Sequence, residues 1–270
     1  MIRHSGATER NPRLSDWSAD YASKDNLEFF AAALAELAKQ GVGNGGLMTI
    51  GLLGQRDLPG VSLREAQSIL RWDLRPSLWS HVFLIAEEVE PKVDALTEAS
   101  VREVALYSRT GLFPDPANNG VTTGKLGLYR RPELDANAAL LAVEMDDEQV
   151  HQVAARAIDD PNLDRLRFNL WELLGIWESY FWASGARSNP LRDGLAIASS
   201  AFVEYCFEAI RVDLSPGASE RNSAPEHLWN GAVWWDEAFA AFEHRVTGFH
   251  VLRDKGCSPL GPGELAEVLP

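Results

Sequence analysis

The chain has 270 residues, of which 46% are hydrophobic and 24% charged, and its formal net charge is −14 at pH 7. Nucleic acids and anionic membranes both favour basic surfaces, so this charge argues against either as the main partner. The two cysteines are too few for a disulfide framework and lack the spacing of zinc ligands, which favours a reducing compartment.

No stretch of the sequence has the pattern of a targeting or membrane segment. The N-terminal MIRHSGATERNPRLSDWSAD has no apolar core of signal-peptide length. No window approaches the roughly eighteen apolar residues of a membrane span. The sequence therefore predicts a cytoplasmic protein without a membrane span, and a specialised export route stays open.

Helix signals dominate the N-terminal part of the chain. After a polar lead-in, DNLEFFAAALAELAKQG is typical of a helix, with Asp25 and Glu28 as its capping box. The glycine-rich GVGNGG at 41–46 lacks the lysine and hydroxyl residue of a P-loop, so it favours a connection over a phosphate site. SLREAQSILRW indicates a second helix, with Ser62 and Glu65 as its box.

Strand patterns lie between residues 79 and 132, and helix patterns follow. WSHVFLIAEEV indicates a buried strand, VDALTEAS and REVALYS indicate extended pieces, and GKLGLYRRP indicates a further strand. This region is expected to form an antiparallel meander. Because most later patterns are helical, including a long one at 162–185, the order of elements favours an α+β fold.

Four motifs in this order resemble one known family. SHVFLI contains Ser80 and His81, LTEAS contains Glu98, SSAFVEY opens a helix, and SAPEHLW follows that helix. The order resembles the circularly permuted papain-like hydrolases of the NlpC-type superfamily. The resemblance implies a papain-like antiparallel sheet packed on helices over residues 61–270. Residues 1–60 are then an N-terminal arm and helical extension that the family does not explain.

The resemblance also implies a set of site residues. His81 falls on the family's base, Glu98 on its orienting acid, and Ser199 on the position where the family has its cysteine nucleophile. The positions that match outside these three are Ser200, Phe202, Val203, Pro225 and Leu228. Ser80, Ser200, Trp234 and Trp235 are the candidate substrate-binding residues. A base must reach its nucleophile, so His81 and Ser199 are expected within a few ångströms of each other.

The serine at the nucleophile position leaves the activity open. A cysteine at a helix N-terminus beside an imidazole ionises readily, whereas a hydroxyl must lose its proton during attack. A Ser-His-Glu site can still work, since such a triad depends on geometry. A competent serine, a silent site and an engineered cysteine-to-serine substitution are all compatible with the sequence.

Two functions from different classes follow from the resemblance. The first is a hydrolase or acyltransferase that acts on an amide or ester bond of a peptide, isopeptide or acyl substrate, with no cofactor and no metal. The second is a catalytically silent papain-like protein that binds a protein partner or serves an assembly.

Each chosen residue also has a purely structural interpretation. Ser199 and Ser200 suit a helix cap, His81 suits a satisfied core position, and Glu98 suits a solvated strand. Cys206 suits a buried apolar position. His151 follows an acidic first turn and is interpreted as a surface residue. His227, His244 and His250 show no metal-ligand spacing with carboxylates or cysteines and are interpreted as structural.

Overall fold

A single mixed sheet of seven strands organises the part of the chain that the structure describes. The computed structural model describes residues 14–39, 46–104, 120–160, 163, 198–218, 223–238, 246–261 and 264. The strands run in the order β1-β7-β6-β2-β3-β4-β5. Their bounds are β1 Leu14–Asp16, β2 Leu47–Gln55, β3 His81–Ile85, β4 Ser100–Val104, β5 Val121–Lys125, β6 Asp135–Glu144 and β7 Val246–Leu252. Neighbours pair antiparallel except β1 and β7, which are parallel. The α+β class is thus confirmed.

Seven α-helices are described around this sheet. Their bounds are α1 Ser18–Tyr21, α2 Asn26–Lys39, α3 Leu58–Ala66, α4 Val93–Glu98, α5 Asp147–Asp159, α6 Ser199–Phe207 and α7 Pro225–Ala238. Short 3-10 turns lie at Gln67–Leu70, Leu126–Tyr129 and Glu208–Ile210. Among the described residues, no helix combines the length and apolar character needed to cross a membrane.

Local capping signals decide where two of the predicted helices begin. The box of α2 is confirmed, because the Glu28 N–H donates to Asp25 at 2.8 Å and the Asp25 N–H donates to Glu28 at 3.1 Å. The box predicted for α3 is wrong. That helix begins earlier, where Asp57 accepts the Gly60 N–H at 2.7 Å, and Ser62 lies within the helix.

Two central strands carry no alternating pattern and were not predicted. Almost every residue of β2 and β6 is buried, since both strands are covered on both faces. Such strands lack the period of two that marks a half-buried strand. The predicted boundary at residue 60 falls inside α3, and β2 before it pairs with both β3 and β6. The N-terminal region therefore contributes a central strand in addition to its helix.

The predicted meander is confirmed in part. β3, β4 and β5 pair antiparallel in sequence order. The extended interpretation of VDALTEAS is wrong, because Val93–Glu98 form α4 and only Ser100 enters β4. The strand predicted at GKLGLYRRP ends at Lys125 and gives way to a 3-10 turn. The long helix predicted at 162–185 lies, apart from residue 163, outside the described residues.

The sheet separates two apolar clusters, and β3 contributes to both. Its alternate residues point to opposite faces. Val82 and Leu84 belong to the first cluster, together with α5, α6 and α7. Phe83 and Ile85 belong to the second cluster, together with α2 and α4. Helix α6 therefore packs on the face of β3 opposite to that of Phe83.

Candidate functional site

Ser199 is the first residue of α6, and its hydroxyl is part of the core. The serine is 4% exposed, and its Oγ accepts the backbone N–H of Val82 at 3.2 Å. The next residue, Ser200, donates its hydroxyl to the Ser223 carbonyl at 2.7 Å. The N-cap is Ala198, which makes no side-chain cap bond. Both serines therefore connect α6 to other segments, and neither acts as its cap.

His81 opens β3 and contributes to a buried polar cluster with Glu103 and Tyr129. The imidazole Nε2 lies 2.8 Å from Glu103 Oε2 and 3.1 Å from the Tyr129 hydroxyl. The Tyr129 hydroxyl also donates to Glu103 Oε2. All three residues are buried. We call these residues the histidine cluster.

Neighbouring groups hold the histidine cluster in place. The rings of Phe83 and Tyr129 stack with centroids 5.4 Å apart and an interplanar angle of 2°. Gly124 on β5 makes room for the acid, because a Cβ there would lie 2.0 Å from Glu103 Oε1. A buried carboxylate needs hydrogen-bond donors to offset its lost hydration. The tyrosine hydroxyl supplies one donor, and the imidazole supplies a second when its Nε2 carries a proton.

Glu98 is not the partner of His81. It is the last residue of α4, its side chain is 70% exposed, and it forms an ion pair with Lys125. The carboxylate at His81 belongs to Glu103, five residues further along the chain. The sequence carried one signal for this residue, since Glu103 is an acid inside a short strand between Val101 and Val104, which are both buried.

His81 and Ser199 are neighbours through the backbone, but their side chains take different directions. Ser199 Oγ bonds the N–H of Val82, the residue that follows His81. The imidazole shares its face of β3 with Phe83 and contacts Tyr129, whereas α6 packs on the Val82 face. His81 Nδ1 is buried and has no hydrogen-bond partner in the described part of the chain. The expected contact between base and nucleophile is therefore not a hydrogen bond in this structure.

The described candidate substrate-binding side chains differ in exposure, since Ser80 and Ser200 are buried and Trp234 is exposed. The hydroxyl of Ser80 is buried and bonds the N–H of Gln55 at 3.0 Å. Trp234 is 64% exposed on α7, and the side chain of Trp235 lies outside the described structure.

Among the described residues, the other histidines do not form a second site. Burial lowers the pKa of His227 to about 4, and its Nδ1 accepts the Ala224 N–H at 3.1 Å. Burial also lowers the pKa of His250, which packs against Trp229. His151 is exposed and His244 lies outside the described residues. Within the described ranges, no group of three or more His, Cys, Asp or Glu residues is arranged to hold a metal ion.

Neither a family model nor a curated protein matches the chain at a significant level. The resemblance to permuted papain-like hydrolases therefore depends on the order of the sequence motifs alone.

Proposed function

We propose that this chain is a catalytically silent protein of the papain-like type that acts by binding a protein partner. The main support is the placement of the two groups that catalysis would need. The Ser199 hydroxyl accepts a main-chain N–H, and the His81 imidazole points to the other face of β3. Each group contributes to the packing of a different side of the sheet.

The hydrogen bonds of His81 also support a silent site. A nucleophilic serine must pass its proton to a base within hydrogen-bond reach. The Nε2 of His81 is already engaged by Glu103 and Tyr129, and Nδ1 makes no hydrogen bond to the Ser199 hydroxyl, which accepts the Val82 N–H. The proposal therefore predicts that position 199 does not activate a nucleophile.

The test is the reactivity of a thiol placed at the position of the family's cysteine. In the Ser199→Cys protein we expect slow alkylation with an ordinary pH dependence, centred near or above about 8.5. His81→Ala should leave the rate unchanged. Ser200→Cys is the matched control, because it places a thiol at the next position of the same helix end. Chymotryptic peptides, cut after Phe202 and Tyr205, separate these thiols from Cys206 and Cys257 in mass spectrometry.

Fast alkylation of Ser199→Cys near pH 5 to 6, slowed by His81→Ala and absent in Ser200→Cys, would contradict this proposal. It would mean that imidazole and thiol form an ion pair in solution.

That outcome would support the second candidate function, a hydrolase or acyltransferase of amide or ester bonds. One observation favours it: Glu103 holds Nε2 of His81 while Nδ1 stays without a partner, as a general base with an orienting acid requires. In that case Ser199→Ala would abolish turnover of an amide or ester substrate, while Ser258→Ala, at an exposed serine outside α6, would retain it.

A further inference from the structure

Two large apolar side chains, Trp72 and Leu74, protrude from one short turn that has no role in either candidate function. The turn comprises residues 71–76, and we call it the Trp72 turn. Trp72 is 94% exposed and Leu74 is 70% exposed. Single exposed apolar residues are common, but two on one turn form a candidate contact site.

Asp73 holds the conformation of this turn. Its carboxylate bonds the Arg71 guanidinium twice, at 3.0 Å to Nε and 2.9 Å to Nη2. The same carboxylate accepts the Arg75 backbone N–H at 3.1 Å, and the Leu74 N–H donates to the Arg71 carbonyl at 3.1 Å. The two apolar side chains thus flank a residue whose own side chain closes the turn.

A second set of bonds ties the turn to the core. Arg71 Nη1 lies 3.2 Å from Glu226 Oε1 in the first turn of α7. The other carboxylate oxygen of Glu226 accepts a hydrogen bond from the Ser77 hydroxyl at 2.7 Å. The backbone N–H of Glu226 donates to the side-chain oxygen of Gln67 at 2.9 Å. Glu226, Ser77 and Gln67 are all buried. The Trp72 turn is therefore attached to buried polar residues of the core.

The backbone at Leu74 is strained. Its φ is 54°, in the left-handed region that a leucine rarely adopts. Strain of this kind persists only where surrounding bonds impose it, and it is found at binding and switching sites. A binding element that is fixed in advance loses less entropy on association. The Trp72 turn thus combines a strained backbone, two exposed apolar side chains and hydrogen bonds to buried residues.

We propose that Trp72 and Leu74 are the anchors by which this chain inserts into an apolar pocket of a separate, basic protein. Tryptophan is enriched among the residues that dominate binding energy. At the turn itself two arginines offset two carboxylates: Arg71 and Arg75 against Asp73 and Glu226. The charge of the partner is therefore selected by the whole chain, whose net charge of −14 repels a second copy and an anionic membrane and steers a basic protein toward it. The inference rests on the proposed binding function and names the surface that would perform it.

The first experiment places a photoreactive phenylalanine analogue at position 72 or 74 of the full chain in the cells that make it. The controls carry the analogue at Leu58 or Ile158, which are exposed at 71% and 54% but lie outside the turn. We expect one basic protein to be captured from positions 72 and 74 and not from the control positions. Equal capture at all four positions, or capture of lipid or of a second copy, overturns the proposal.

Capture alone is not sufficient, so the captured protein is purified and its affinity measured. We expect Trp72→Ala to weaken binding about tenfold or more. Asp73→Asn should also weaken it, because it releases the turn while keeping both apolar side chains. Leu58→Ala should have no effect, and salt should slow association. Circular dichroism and thermal unfolding verify that each variant is folded.

An unchanged affinity in folded Trp72→Ala overturns the proposal. Binding through another surface would then leave the proposed function standing. An activated thiol in Ser199→Cys would instead overturn the proposed function, whatever the turn binds.

Discussion

Replacing Glu103 with alanine removes the carboxylate that His81 and Tyr129 share. The acid is buried and lies 2.8 Å from the imidazole. Its loss removes the bonds that the imidazole and the Tyr129 hydroxyl make to it, and leaves these two groups only each other, 3.1 Å apart. The loss of two hydrogen bonds to a buried carboxylate costs about 3–5 kcal/mol. Glu98→Ala removes only an exposed ion pair with Lys125, which contributes at most about 1 kcal/mol.

The assays are chemical denaturation and thermal unfolding, both followed by circular dichroism and tryptophan fluorescence. For a chain of this size, the Glu103→Ala loss corresponds to a fall in Tm of roughly 6 to 20 °C. Glu103→Gln is the matched control, because it keeps the volume and one hydrogen bond and should fall between the other two variants. If Glu98→Ala destabilises the protein as much as Glu103→Ala, the assignment of Glu103 as the partner of His81 is refuted.

Three further predictions concern the core and its pH dependence. Gly51→Ala should destabilise the protein by about 1–3 kcal/mol in the same assay, since a Cβ there would lie 2.0 Å from the Phe83 ring; an unchanged midpoint would show that the ring can move aside. Ser200→Ala should cost about 1 kcal/mol, because it removes the 2.7 Å bond to Ser223; no loss in urea unfolding would mean that this bond does not hold α6. His227 has its pKa lowered by burial to about 4, below an ordinary value of about 6.5, so the unfolded chain binds the extra proton first. The neutral His227 therefore contributes stability that is present above about pH 6.5 and is lost as the pH falls to about 4. This loss lowers the free energy of unfolding by up to about 3 kcal/mol. In His227→Asn, that pH dependence between pH 7 and pH 4 should disappear from the urea unfolding curves.

Local signals in the sequence were sufficient for some elements. The α2 capping box depends only on residues three apart, and the structure forms both of its bonds. The pairing of β3, β4 and β5 follows from strands that are close in sequence. Helix α4 was missed because its six residues are too few to show a helical period.

The partner of His81 depends on long-range packing that no local pattern encodes. Glu103 reaches the imidazole because β3 and β4 pair with Phe83 opposite Glu103, and a shift of one residue would turn the acid to the other face. The 3-10 turn that places Tyr129 is likewise a consequence of packing against α2 and α4. The motif order identified His81 and Ser199 as candidates, but it could not supply the face on which each side chain lies.

The position of β7 has a consequence for how the protein is made. This strand lies between β6 and β1, so the last described strand of the chain pairs with the first. A ribosome therefore releases β6 long before the strand that covers its edge is complete. Until then the ten residues of β6, nearly all apolar or buried in the finished sheet, present an open edge to other nascent chains. Chains that stop short of residue 246 should accumulate as aggregates, because β6 gains its second neighbouring strand only when β7 has been made.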